Sequence, residues 1–101
     1  THEGYPVVWT EGIVSVTLDY LCEQLGVIPN AIKIDTDGNE DKVLEGAVKT
    51  LANSNLRSLV IEMPHENKDK SDLCYEILKS AGLYLAWSNK EKTRNEIWIR
   101  Q

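Results

Sequence analysis

Short apolar runs alternate along this chain with stretches whose apolar residues recur at helical spacing. Ile13 to Val16 reads as a strand. Thr17 follows as an N-cap with Asp19 in the first turn. Leu18, Leu21, Cys22 and Leu25 fall on one face of the predicted helix, and Gly26 stops it. After Pro29 and Asn30, Ala31 to Asp35 reads as a short buried strand. Asp37 or Asn39 caps a second helix running from Asp41 to Leu51, with Val43, Leu44, Ala47, Val48 and Leu51 on its apolar stripe. Ser58 to Met63 has a central-strand pattern, closed by Glu62 and Pro64. Ser71 caps a third helix with Leu73, Cys74, Ile77, Leu78 and Ala81 inward, and Gly82 supplies its left-handed stop. Leu83 to Trp87 and Glu96 to Arg100 read as strands. The loop between them, Ser88 to Asn95, is too short for a helical crossover, so these two strands are expected to be antiparallel.

This order predicts a single α/β domain over residues 13–101, with a mostly parallel sheet ending in an antiparallel C-terminal hairpin. Residues 1–12, which mix Gly4, Pro6 and Gly12 with Val7, Val8 and Trp9, read as a loop or edge segment, and His2 falls in a frayed terminus. Composition narrows the function classes. Eleven basic residues against sixteen acidic ones give a formal charge of -5, which repels phosphate backbones, so nucleic acid is not an expected partner. No stretch is long and apolar enough to span a membrane, and no leader pattern is visible, so a cytoplasmic location is expected. Cys22 and Cys74 each sit on a helical apolar stripe, in no paired spacing, and read as reduced core thiols.

The candidate chemistry lies where strands end. In open α/β sheets ligands bind beyond the carboxyl ends of the strands, and two predicted strands end there in Asp35 and Glu62. A charge directly after an apolar strand loses hydration unless a partner or ligand compensates it, which makes this pair the stronger candidates. Asp37 and Glu40 lie in the turn after Asp35 and His65 just beyond Glu62, and all three are candidate substrate contacts. For Asp37 and Glu40 the plainer assignment is helix capping or a solvated turn. Trp9, Tyr84, Trp87 and Trp98 read as core or subunit contacts, and Lys68 to Lys70 and Lys90 to Arg94 as solvated loops.

A set of residues at fixed spacing carries a resemblance. Thr17-Leu18-Asp19, then Ile32-Lys33-Ile34-Asp35, Gly38 and Glu40, then Val43-Leu44-Glu45-Gly46-Ala47, and finally Val60-Ile61-Glu62 resemble the C-terminal half of the FkbM-type methyltransferases. The likeness runs from about Ser15 through Leu73 to Gly82 and into Asn95-Glu96-Ile97-Trp98-Ile99. It implies the C-terminal half of a Rossmann-like fold, S-adenosylmethionine as cofactor, and O-methyl transfer to a hydroxyl on a sugar or other small molecule. By resemblance Asp35 orients that hydroxyl or accepts its proton beside Glu62, and Glu40 matches the acidic residue of an Asp-x-x-Gly-x-Glu pattern. The glycine-containing loop of the family's first strand has no counterpart in these residues, so the chain by itself is expected to be inactive and no residue is assigned to the cofactor.

Three other arrangements compete for the same residues. Asp35-Thr36-Asp37-Gly38 also resembles the signature of haloacid-dehalogenase-type phosphatases, although Asn39 stands where that family carries Thr or Ser. A hard divalent cation on Asp35, Glu62 and His65 suits the donor types. In a different class, the chain is a non-catalytic α/β module or fragment that pairs with a second copy through the exposed edge of the Ala31 to Asp35 strand.

Overall fold

The computed structural model describes residues 7–10, 13–89 and 94–101, and the readings placed on His2, Gly4, Pro6, Gly12 and residues 90–93 lie outside them. β1 (Val7–Thr10) and β2 (Ile13–Val16) pair antiparallel as a separate two-stranded ribbon. Ile13 to Val16 is therefore a strand, but it does not open the main sheet. α1 (Leu18–Leu25) follows, with Thr17 Oγ1 accepting the Tyr20 N–H at 3.1 Å and Gly26 closing the helix at φ 69°.

β3 (Ala31–Ile34), β4 (Ser58–Glu62), β5 (Tyr84–Asn89) and β6 (Asn95–Ile99) form a sheet in the order β3-β4-β6-β5. β3 and β4 are parallel, whereas β6 is antiparallel to both of its neighbours. The expected mostly parallel sheet is thus corrected to a mixed one. The reversed strand inserts between β4 and β5 instead of closing the outer edge, so it makes two pairs antiparallel while β3, β4 and β5 keep one direction. The C-terminal hairpin itself is antiparallel, as the short connection requires.

The helix expected over Asp41 to Leu51 is two helices, α2 (Glu40–Glu45) and α3 (Val48–Ala52). Ala47, at φ −126° and ψ 12°, lies outside helical geometry. The break is where α1 docks. Gly46 lies so close to Thr17 that an added Cβ would sit 2.9 Å from Thr17 Cγ2, and the Gly46 carbonyl accepts the Asp19 N–H at 2.9 Å. α4 (Lys68–Ser80) starts three residues before Ser71, capped by Asn67, whose Oδ1 accepts the Lys70 N–H at 3.2 Å. Lys68 to Lys70, expected in a loop, form its first turn. Gly82 follows α4 at φ 89°, the left-handed stop the sequence called for.

One face of the sheet carries the core. Ile34, Leu59, Ile61 and Trp98 project from it into a cluster with Leu44, Ala47 and Leu51 of the broken helix and Cys74 and Leu78 of α4. Val60, Ile97 and Ile99 on the opposite face are only half-buried. Trp98 is a core residue, but Tyr84 and Trp87 are exposed. Leu21 and Leu25, expected inward, are 42% and 64% exposed, whereas Cys22 on the same helix is buried. Both cysteines are free, and burial pushes the Cys74 thiol up to about 12. Arg100 ties the periphery together: its guanidinium donates to the carbonyls of Leu56 (2.9 Å), Ala81 (2.8 Å) and Leu51. Among the described residues no helix is long and apolar enough to cross a membrane.

Candidate functional site

β3 and β4 run parallel with Ile34 opposite Ile61, so the next residue of each strand brings Asp35 beside Glu62 at the carboxyl end of the sheet. The two carboxyl groups hydrogen-bond to each other. That bond, followed by partial burial and the charges of Asp35, Glu40 and Asp37, holds the Glu62 carboxyl above its ordinary value of 4.5. The physical cause is that ionising Glu62 places its charge beside those of its acidic neighbours.

The turn after β3 gives this pair a fixed wall. Asp37 has φ 57° and Gly38 φ 98°, so a non-glycine residue holds a left-handed conformation at the site. Glu40 is what stabilises it. Only 2% exposed, its carboxylate accepts the Thr36 N–H (3.0 Å), the Thr36 hydroxyl (3.2 Å) and the Gly38 N–H (3.1 Å). From the other side Lys70 Nζ in the first turn of α4 donates to the Gly38 carbonyl at 2.8 Å. Glu40 thus stands with its oxygens engaged inside the turn, in the capping-type role that a carboxylate at the start of α2 suits.

A shallow polar cavity of about 180 Å³ opens over these groups, walled by Asp37, Gly38, Glu40, Glu62, Pro64, Glu66 and Arg94. Arg94, at φ 58°, holds Glu66 at 2.7 Å across it. Asp35, Asp37, Glu40 and Glu62 are therefore brought together, and His65 is not among the cavity's walls. Its Nε2 lies 3.4 Å from Oε2 of Glu96 instead. The donor set Asp35, Glu62 and His65 is split in this way, and among the described residues no group of three or more His, Cys, Asp or Glu side chains is arranged to hold a metal ion.

Glu96 is the ionisable group that sequence reasoning passed over. It is fully buried in β6, where it accepts the Tyr75 hydroxyl at 2.7 Å and the Trp98 indole N–H at 3.1 Å. Burial, and then the hydrogen bond to Glu96, push the Tyr75 phenol above its ordinary range. The signal was present in the strand's alternation: two residues before Trp98, Glu96 shares its buried face. Tyr75, Glu96 and His65 together anchor the loop that leads from Glu62 into α4, behind the cavity. Lys70 and Arg94, also unassigned from sequence, act on the turn and the rim from α4 and from the residue before β6.

Glu62 stands in the cavity wall, whereas Asp35, next to it at the end of β3, is not among the walls; chemically the ends of β3 and β4 offer a carboxyl pair able to accept a proton from, or hydrogen-bond to, a hydroxyl placed over them. The comparisons with known proteins return nothing for this chain: no family model, no curated protein and no solved structure matches it.

Proposed function

We propose that these residues form the acceptor-side half of an FkbM-like, S-adenosylmethionine-dependent methyltransferase acting on a hydroxyl of a sugar or other small molecule. The observation that carries the reading is the Asp35–Glu62 carboxyl pair at the ends of adjacent parallel strands, with Glu62 in the wall of a polar cavity. Two further features support it. The Thr17-Leu18-Asp19 and Gly46-Ala47 elements of the resemblance pack on each other, and the resemblance's closing strand, Asn95 to Ile99, is the antiparallel strand of the sheet.

S-adenosylmethionine supplies an already activated methyl group, so the protein's part is alignment of the acceptor and removal of its proton. Asp35 accepts that proton, and Glu62, hydrogen-bonded to it, orients the carboxylate. Asp37 and the rim residues bound the acceptor's remaining surface. Among the described residues no glycine-rich turn follows a strand to cradle an adenosine, so every role assigned here concerns the acceptor. The cofactor-holding half comes from outside these residues, and this chain by itself is inactive.

The test is methyl transfer from labelled S-adenosylmethionine to a panel of sugar hydroxyls, by a polypeptide that adds a glycine-bearing first strand encoded alongside these residues. Asp35→Ala abolishes transfer with an unchanged circular dichroism spectrum. Undiminished turnover removes Asp35 from the site, and absence of any such coding segment removes the reading. A second reading, a non-catalytic α/β module that acts by self-association, draws on β3, which among the described residues pairs on one side only.

A further inference from the structure

The main sheet has two faces, and the helices cover one of them. α2, α3 and α4 pack on Ile34, Leu59, Ile61 and Trp98, and α1 packs on α3. Among the described residues the other face carries no helix. Strand register lays that face out in rows. Lys33, Val60, Ile97 and Trp87 stand side by side across β3, β4, β6 and β5, and Ala31, Ser58, Ile99 and Tyr84 form the row beside them. Tyr84 is 42% and Trp87 49% exposed, Ala31 and Lys33 are exposed, and Val60, Ile97 and Ile99 are half-buried. The apolar side chains of the two rows thus form one contiguous surface, of the kind that marks an interaction site.

Trp87 is turned onto this face by a bulge. Strict alternation from Leu85, which pairs with Trp98 on the core face, would return Trp87 to the core face. The register shifts by one residue there, so Trp87 and not Ala86 lies opposite Ile97. A bulky ring takes the place of a methyl group in the row.

We propose that this face stacks on the same face of a second copy, about a two-fold axis that runs between the two sheets parallel to their strands. Such an axis reverses the strand order and places β3 of one copy over β5 of the other. Each row then meets itself end for end. Lys33 lies over Trp87 of the second copy and Val60 over its Ile97, while Ala31 lies over Tyr84 and Ser58 over Ile99. A cation meets an aromatic ring, and small residues meet large ones. The angle of about 30° between stacked sheets displaces the outer strands by about 4 Å, which the Lys33 stem spans.

Charge and bulk select this axis over the others that bring the faces together. An axis across the strands through the Lys33 row sets Lys33 over Lys33, like charge on like charge. One midway between the rows sets Trp87 over Tyr84 and Lys33 over Ala31, so that bulk meets bulk at one edge and a gap opens at the other. Four strands about 4.8 Å apart and about five residues long give a footprint of roughly 300 Å² per copy, in the class of weak, reversible interfaces.

The proposal is independent of the methyl-transfer reading, since its readout is mass and not turnover. Sedimentation equilibrium from micromolar to submillimolar concentration is expected to shift from 11.4 kDa toward twice that mass. Trp87→Ala and Lys33→Glu, both at exposed positions, each remove two contacts from a two-fold dimer and weaken association by about tenfold or more, whereas Lys33→Arg retains it. Cross-linking reads the axis. In a chain carrying both Ala31→Cys and Tyr84→Cys the two thiols lie three strand spacings apart, about 14 Å, so a bismaleimide of shorter reach joins them only between copies. The double variant is expected to give a covalent dimer. The parent chain, whose two cysteines are buried, and each single variant are expected to give none. A monomer at submillimolar concentration, a dimer indifferent to Trp87→Ala and Lys33→Glu, a double variant that does not cross-link, or a cross-link with Ala31→Cys alone would overturn the proposal.

Discussion

Asp19 in the first turn of α1 binds Thr50 of α3 twice, its Oδ1 accepting the backbone N–H at 2.8 Å and the hydroxyl at 2.7 Å, while Oδ2 accepts the Lys49 N–H at 3.0 Å. A carboxylate from one helix thereby caps another, replacing the side-chain cap that Ala47 cannot supply. Asp19→Ala should lower unfolding stability by about 1 to 2 kcal/mol, and Thr50→Val by about 1 kcal/mol through loss of the hydroxyl bond. In urea unfolding the double variant should lose less than the two singles together. Additive losses would show that the two residues act separately.

The closeness of Gly46 to Thr17 gives a steric test of the same junction. Gly46→Ala places a Cβ 2.9 Å from Thr17 Cγ2 and 3.0 Å from Thr17 Cβ. The expected penalty is about 1 to 3 kcal/mol, typical of overpacking. Thr17→Ser removes Cγ2 but keeps the capping oxygen, so adding it to Gly46→Ala should recover part of the loss. No recovery would place the constraint in the backbone of Gly46 and not in this contact.

The carboxyl pair makes stability depend on pH with a definite sign. Glu62 is held above its ordinary value of 4.5 in the folded chain. Its protonated form therefore favours folding: the contribution is complete below that value and fades as pH rises through the raised one. Glu62→Gln, neutral throughout, should flatten this limb of the stability profile when urea midpoints are compared from mildly acid to neutral pH. A profile as steep as the parent's would assign the dependence to another group.

Arg100 joins three segments distant in sequence through one planar group. Arg100→Lys keeps the charge but cannot reach the carbonyls of Leu51, Leu56 and Ala81 together. A loss of about 1 to 3 kcal/mol is expected, with hydrogen exchange rising first at Leu83, whose N–H bonds the Leu78 carbonyl at the end of α4. Unchanged exchange there would mean that the α4 terminus is held without Arg100.

What the sequence determined by itself was local. Thr17, Gly26 and Gly82 mark helix ends through capping and left-handed geometry, which need only neighbouring residues. The strands ending in Asp35 and Glu62 were legible from apolar runs and breakers, and the short Ser88 to Asn95 connection fixed the direction of the last hairpin. Tertiary structure decided what depends on distant partners. The stripe from Val43 to Leu51 has the period of one helix, yet Thr17 and Asp19 arriving from another element divide it at Gly46 and Ala47. Leu21 and Leu25 have the period of a buried face, but periodicity assigns a face and not its cover, and no described element covers theirs. The engagement of Glu40 is local, four and two residues from its partners Thr36 and Gly38, and agrees with the capping role its position suggests. Adjacency of Asp35 and Glu62 and the diversion of His65 to Glu96 arise from strand register and packing. No spacing along the chain encodes those two, because each joins residues that only the folded sheet brings close.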